Sequence, residues 1–242
     1  EWVVNGSKQF ITNSGSDITS LVTVTARTGT REDGRPEISA IMLPSGTPGF
    51  VAEKAYDKLG WHASDTHPLS FTDVHVPADH LLGEQGRGYA QFLATLDDGR
   101  VAISALSVGC IQACLDMAVA YAGERQTFGG PIGRKQGVAF QIADLQVMLE
   151  ASRMLTYKAA ALKDSGAPYQ AFKQAASIAK VYSTESAVTA TRIATQVFGG
   201  YGFMEEYPVA RFYRDAKVLE VGEGTSEVQR MLIARGLGLP VE

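Results

Sequence analysis

Two periods divide this chain. Up to about position 80, apolar residues fall in short runs: Trp2–Val4, Gln9–Thr12, Leu21–Arg27, Glu37–Leu43, Gly49–Lys54 and Leu69–Val76. The runs are rich in Val, Ile, Thr and Phe, and Gly, Pro, Asn and Asp punctuate them, which predicts strands. Antiparallel packing in a sandwich or small barrel is expected. Asn5-Gly6 is a strong hairpin signal between the first two runs. A hairpin starting at residue 2 suggests a chain cut from something larger.

From Gly88 the apolar spacing becomes helical. Tyr89, Phe92, Leu93, Leu96, Val101, Ile103, Leu106, Val108 and Ile111 predict a helix to about Tyr121. At ~1.5 Å per residue it spans roughly 50 Å. A Gly-rich loop with one Pro follows over 125–135. A second helix is expected from about Gln136 to Leu162, broken by Asp164-Ser165-Gly166-Ala167-Pro168. A third runs from about Tyr169 to Phe198 and stops at Gly199-Gly200, and a shorter one follows Ser226. Helices on such short links pack as a bundle. The expected class is α+β: an antiparallel β-sandwich or barrel domain over 1–84, then an up-down four-helix bundle over 85–242.

Composition narrows the function. The 242 residues are 45% hydrophobic and 20% charged, an ordinary globular mixture. The net charge of −4 leaves no basic face for nucleic acid. No apolar run reads as a membrane span, and no leader pattern opens the chain. Cys110 and Cys114 sit four apart on one helix face and read as buried thiols, not as a disulfide or a metal site. A reduced, cytoplasmic setting is therefore expected. His62, His67, His75 and His80 lack metal-ligand spacing, so no metal is expected.

The densest chemistry lies near the end, where Tyr213-Arg214-Asp215-Ala216-Lys217 precedes Glu223-Gly224-Thr225-Ser226-Glu227-Val228-Gln229-Arg230. Glu223 stands in a turn before a helix, and Gly224 lets the backbone bend there. Ser226 and Gln229 have the spacing of a capping box. A carboxylate at such a junction either complements the helix dipole or faces a cleft as a base.

Further segments gain meaning in order. Phe10-Ile11-Thr12-Asn13 ends an early strand, and Leu59-Gly60-Trp61-His62-Ala63-Ser64-Asp65-Thr66 precedes a later one. Leu81-Leu82-Gly83-Glu84-Gln85-Gly86-Arg87-Gly88 joins the halves. Glu124-Arg125-Gln126-Thr127-Phe128-Gly129 opens the central loop, and Gln196-Val197-Phe198-Gly199-Gly200-Tyr201-Gly202 closes the third helix. The ordered set resembles the acyl-CoA dehydrogenase family over nearly the whole chain. It matches that family's middle β-domain and C-terminal helical domain, and the N-terminal helical domain is missing from the match.

The resemblance implies an FAD enzyme of fatty acid β-oxidation that converts an acyl-CoA to a trans-2-enoyl-CoA and passes electrons to an electron-transfer flavoprotein. Glu223 falls on the family's base. Some members carry the base on the first helix of the bundle, where this chain has Gly99. Phe10, Ile11 and Thr12 would lie against the flavin ring, with Phe10 where the family often has Trp. Arg125, Thr127, Phe128 and Gln136 would reach an FAD held mainly by a neighbouring subunit. Gln196, Gly199 and Gly200 would approach its adenosine end, and Thr225 and Glu227 would flank the cofactor. Asp97, Arg100 and Gly224 fall on substrate-contacting positions.

Plainer roles stay open beside these. Arg125 could cap a helix, Gly199-Gly200 could be only a helix stop, Gln136 could face water, and Asp97 with Arg100 could be an intrahelical ion pair. Gly222 replaces an aromatic residue of many relatives and opens the pocket beside the base. Glu227 stands where some members have Gln. An oxidase using oxygen, or a non-catalytic assembly fragment, are the rival readings. A homotetramer or dimer is implied, in the mitochondrial matrix if the source is eukaryotic. With half the pocket wall missing, this chain alone is expected to hold FAD weakly and to be inactive.

Overall fold

The computed structural model describes residues 1–241. Packing divides the chain into two units that meet in sequence at Thr95 and Leu96.

The first unit is built from β1 (Trp2–Thr12), β2 (Leu21–Thr30), β3 (Pro36–Pro44), β4 (Phe50–Ala52), β5 (Thr66–Val76) and β6 (Leu81–Leu82). They form two three-stranded sheets in the orders β1-β5-β4 and β2-β3-β6. All pairings are antiparallel. Val22 and Val24, Ile41 and Leu43, Leu69 and Phe71, and Val74 and Val76 alternate inward with Val4 to make one core from both sheets. That alternation is the period of a half-buried strand. The two-residue β6, too short to show a period, was not expected. It pairs with Ala40 and Ile41 of β3.

The expected Asn5-Gly6 hairpin does not form. β1 runs without a break from Trp2 to Thr12. Trp2–Val4 pair with Val76–Val74, Gly6–Lys8 with Phe71–Leu69, and Ile11–Thr12 with His67–Thr66. One extra residue therefore sits on β5 near Asp73 and one on β1 near Phe10. Both Asp73 (φ 47) and Phe10 (φ 60) have positive φ, as residues at bulges can. The Asn5 amide serves the first bulge: it donates to Asp73 Oδ1 at 3.1 Å and accepts from the Asp73 N–H at 2.8 Å. The inward positions of β5 switch from odd to even across Asp73, so the bulge keeps both halves of the strand facing the core.

The helical elements are α1 (Gly88–Glu124), α2 (Gln136–Asp164), α3 (Tyr169–Phe198), α4 (Pro208–Val221) and α5 (Ser226–Gly236). Among the described residues there are five, not the expected four: α4 was missed. Its buried residues are Val209, Ala210, Ala216 and Leu219, a stripe half made of alanine and so weakly apolar. Pro208 opens it at a position where the absent N–H costs nothing. α3 packs on α2, α4 and α5. Its buried face is small, including Ala175, Ala176, Ala179, Ser183, Ala187, Ala190 and Ala194, which lets three neighbours approach it. Between α1 and α2, β7 (Gln126–Thr127) and β8 (Gly130–Pro131) form a tiny hairpin.

One expectation about length fails. α1 is long and apolar enough, by length and composition, to cross a bilayer. Core helices of globular proteins meet the same test, and α1 carries a buried ion pair, Asp97 with Arg100. Cys110 and Cys114 are both free thiols, and Cys114 is fully buried.

Candidate active site

The turn between α4 and α5 holds Glu223 in the left-handed region, at φ 56, followed by Gly224 at φ 88. Such a φ is uncommon for a residue with a Cβ and persists only where surroundings enforce it. Two buried side chains on either side do so. Gln229 donates from Nε2 to the carbonyls of Glu223 at 3.2 Å and Gly224 at 3.0 Å. Lys180 of α3 donates to the Gly224 carbonyl at 2.8 Å. A Cβ at Gly224 would stand 2.8 Å from Gln229 Nε2, so glycine is needed there for space as well as for φ.

The expected capping box is therefore corrected. Thr225, not Ser226, is the N-cap of α5, and its hydroxyl accepts from the Val228 N–H at 3.4 Å. Gln229 is spent on the turn carbonyls instead of the N-cap amide. Glu227 lies in the exposed first turn, and its own backbone N–H and the Thr225 hydroxyl hold its carboxyl below the usual range.

The Glu223 side chain is half-buried and reaches across to α1. Its carboxylate lies over Gly99: a Cβ built there would be 2.5 Å from Oε2. Among the described residues no donor bonds to this carboxylate. Burial raises its pKa, and the Arg100 and Lys180 cations partly oppose the rise. The combination suits a base that must take a proton. The backbone N–H of Glu223 likewise has no acceptor among the described residues, which leaves a donor available beside the carboxylate.

Asp97 and Arg100 form an ion pair three residues apart on α1, with side chains 2% and 4% exposed. Tyr169, at the start of α3, donates its hydroxyl to Asp97 as well. That bond raises the phenol to a pKa of about 12. Arg100 Nε has no partner among the described residues. The plainer ion-pair reading thus holds as geometry, and it places Arg100 where its charge acts on Glu223.

A second constellation gathers Arg125, Thr127, Gly199 and Gly200. With Tyr121, Ile132, Phe198 and Tyr201 they line a pocket of about 530 Å³. Tyr121 stacks on Phe198 with centroids 4.1 Å apart, and Arg125 lies 5.9 Å over the Tyr201 ring. Arg125 has no carboxylate partner among the described residues. Gly199 has φ 59, and neither it nor Gly200 has an atom within 4 Å of a would-be Cβ. Phe128 and Gly129, at φ 48 and 81, are the central residues of the β7–β8 turn. That is the geometry of a two-residue hairpin, and it leaves the Phe128 ring 94% exposed. Gln136 and Gln196, both exposed, do not line this pocket.

In the first unit, Phe10, Ile11 and Thr12 end β1. Phe10 is 73% exposed and meets Tyr56 with ring centroids 5.2 Å apart. Ile11 lines an apolar groove of about 710 Å³ with Val22, Val24, Leu69 and Phe92, and Thr12 is exposed.

Sequence reasoning missed Lys180 and Gln229 as parts of the site. Lys180 was visible as a lysine on the small-residue face of α3, in line with Ala176, Ser183 and Ala187, a position where a solvated lysine has no place.

The family model of the acyl-CoA dehydrogenase C-terminal domain matches residues 86–238, and that of the middle domain matches 1–74. The chain is 47% identical over 98% of its length to the probable acyl-CoA dehydrogenase YngJ of Bacillus subtilis. It is 44% identical over 98% of its length to the short-chain specific acyl-CoA dehydrogenase of Megasphaera elsdenii. It spans 61% and 60% of those two relatives. The solved butyryl-CoA dehydrogenase of M. elsdenii superposes with a TM-score of 0.90 at 44% identity, covering 97% of this chain and 60% of that one. On the motifs, the fold and these matches together, the chain belongs to the acyl-CoA dehydrogenase family.

Proposed function

We propose that the protein dehydrogenates an acyl-CoA thioester to a trans-2-enoyl-CoA, with Glu223 as the base that removes the α-proton. The observation that carries this reading is the Glu223 turn: a half-buried carboxylate with a raised pKa, no donor of its own, and an N–H left open beside it. A carbon acid next to a thioester is far weaker than a carboxylic acid. Its carbonyl must be polarised as the proton leaves. The Glu223 N–H donates to the thioester oxygen while the carboxylate takes the proton from Cα. The Arg100 guanidinium nearby opposes the rise that burial gives the base.

The residues present fit FAD. An unpaired guanidinium at Arg125 suits a pyrophosphate, and the open backbone at Gly199-Gly200 lets a ligand approach closely. Thr127 lines the same pocket, and Phe128 stands exposed at the tip of the adjoining hairpin. Gln136, Gln196, Thr225 and Glu227 belong to the same proposed cofactor surface. Phe10, Ile11 and Thr12 offer an exposed aromatic and a hydroxyl for the flavin ring. FAD, when bound, supplies the acceptor for the hydride that leaves Cβ. Asp97, Arg100 and Gly224 are the proposed substrate side.

The wider role follows from the family. The relatives named above for short-chain and butyryl substrates make a short acyl group the first to test. We place the reaction in β-oxidation, with an electron-transfer flavoprotein as acceptor and a homo-oligomer as the working form. The proposed location is the cytoplasm, or the mitochondrial matrix of a eukaryote. Anaerobic titration of the full-length, FAD-loaded protein with short acyl-CoAs tests the base. A Glu223→Gln variant is expected to bind substrate without bleaching the flavin, and normal bleaching by it would overturn the assignment.

A further inference from the structure

Lys180 is fully buried, yet it forms no ion pair among the described residues. Its ammonium donates instead to two carbonyls, those of Gly224 at 2.8 Å and Glu220 at 3.3 Å. Glu220 lies in the last turn of α4, and Gly224 follows the base. An ammonium in a protein interior is costly unless hydrogen-bonded, and these carbonyls are what it bonds. A cation at a helix C-terminus is also stabilised by the negative end of the helix dipole there. Four charged groups act on Lys180 from the elements around it: Glu220 of α4, Glu223 of the turn, Arg100 of α1 and Glu185 of α3 itself. Burial outweighs the carboxylates and pushes the amine down to about 8.

The position of this ammonium has a consequence for the backbone. Gly224 O accepts from both Lys180 and Gln229, and Glu223 O accepts from Gln229. With these carbonyls turned toward buried donors, the two peptide planes that follow Glu223 are fixed, and Lys180 also holds the Glu220 carbonyl that precedes the turn. The Glu223 N–H is the group left over.

We propose that Lys180 is a positioning residue for the reaction: by clamping the carbonyls of Glu220 and Gly224 it aims the Glu223 N–H at the thioester oxygen, and its charge favours the ionised form of the Glu223 carboxylate. The proposal rests on Glu223 being the base. Lys180 touches neither substrate nor cofactor in this role.

The test compares wild type, Lys180→Met and Glu223→Gln as full-length, FAD-loaded proteins. Two readouts go beyond the rate. One is the ascending limb of kcat/KM against pH. The other is the infrared stretch of the thioester carbonyl in a bound, non-reacting acyl-CoA analogue. Lys180→Met is expected to move the limb to higher pH, because a cation near the base is gone. It should also shift the carbonyl stretch back toward its value in water, because the N–H donor is no longer aimed. Lys180→Arg, if it folds, is expected to leave the limb in place. A Lys180→Met protein that is less stable but keeps the wild-type limb and stretch would overturn the proposal and leave the base assignment standing. Normal turnover by Glu223→Gln would overturn both. If Lys180→Met does not fold, Lys180→Gln is read the same way. Its amide retains donors but no charge, so an unmoved limb in that variant also overturns the proposal.

Discussion

The Glu223 carboxylate occupies the space that a side chain on Gly99 would fill, with a would-be Cβ 2.5 Å from Oε2 and 3.0 Å from Cδ. The two positions, on different elements, share one place in the site. Gly99→Ala must therefore push the carboxylate aside. A displacement of about 1 Å is enough to cost roughly 100-fold in rate. The helix itself gains, since Ala is better than Gly in a helix interior by about 1 kcal/mol. Single-turnover rates and thermal melts together should show a slower protein that is no less stable. A rate unchanged from wild type would place the base elsewhere.

The raised pKa of Glu223 gives two linked pH effects. Activity needs the ionised base, so kcat/KM should rise with pH along a limb displaced above the ordinary carboxylate range. Stability runs the other way. A carboxyl whose folded pKa exceeds its unfolded value favours folding at low pH, and that advantage is lost as pH rises through the folded value. Glu223→Gln, which mimics the protonated form, should gain stability relative to wild type between acidic and neutral pH. Urea midpoints at several pH values check this, and a Gln variant less stable at neutral pH than at acidic pH, relative to wild type, would contradict it.

Lys180 predicts a window in alkali. Its pKa is about 8 in the fold against an ordinary 10.5. The native protein thus binds fewer protons than the unfolded chain between those values, and stability contributed by this group rises with pH across that interval. The stability of wild type relative to Lys180→Met should grow by about 3 kcal/mol from pH 8 to pH 10.5, and stay level below pH 8. Denaturation curves for the pair across this range decide the matter.

Asp97 and Asp98 are neighbours with different fates. Asp97 pairs with Arg100 in the interior, and Asp98 pairs with Lys163 at side-chain exposures of 50% and 48%. Asp97→Asn leaves a buried guanidinium without its counter-charge and is expected to cost about 3–5 kcal/mol. Asp98→Asn breaks an exposed pair and should cost no more than about 1 kcal/mol. Equal losses in chemical denaturation would show that burial does not separate the two.

Much of this was legible in the chain. The three long helices follow from their apolar spacing, and the Glu223 turn from a carboxylate followed by glycine. Asn5-Gly6 misled because the same pair that makes a tight turn can also serve a bulge, and only the partner at Asp73 distinguishes them. α4 was invisible because alanine fills half its buried stripe, and β6 because two residues have no period. The N-cap moved by one residue to Thr225 because Gln229 found better acceptors across the turn than along the helix. Lys180 and Gln229 act through backbone carbonyls, which carry no mark in a sequence.

The two bulges between β1 and β5 have opposite sign. The surplus residue is on β5 in one case and on β1 in the other, so the ladder leaves Thr12 and Thr66 aligned as it began at Trp2 and Val76. Each surplus residue is absorbed where it arises, so the alternation on both sides of it keeps its inward face. Together the two leave no net offset along the ladder, and the segment carrying Phe10 to Thr12 meets its partner in the same register that Trp2 set at the other end.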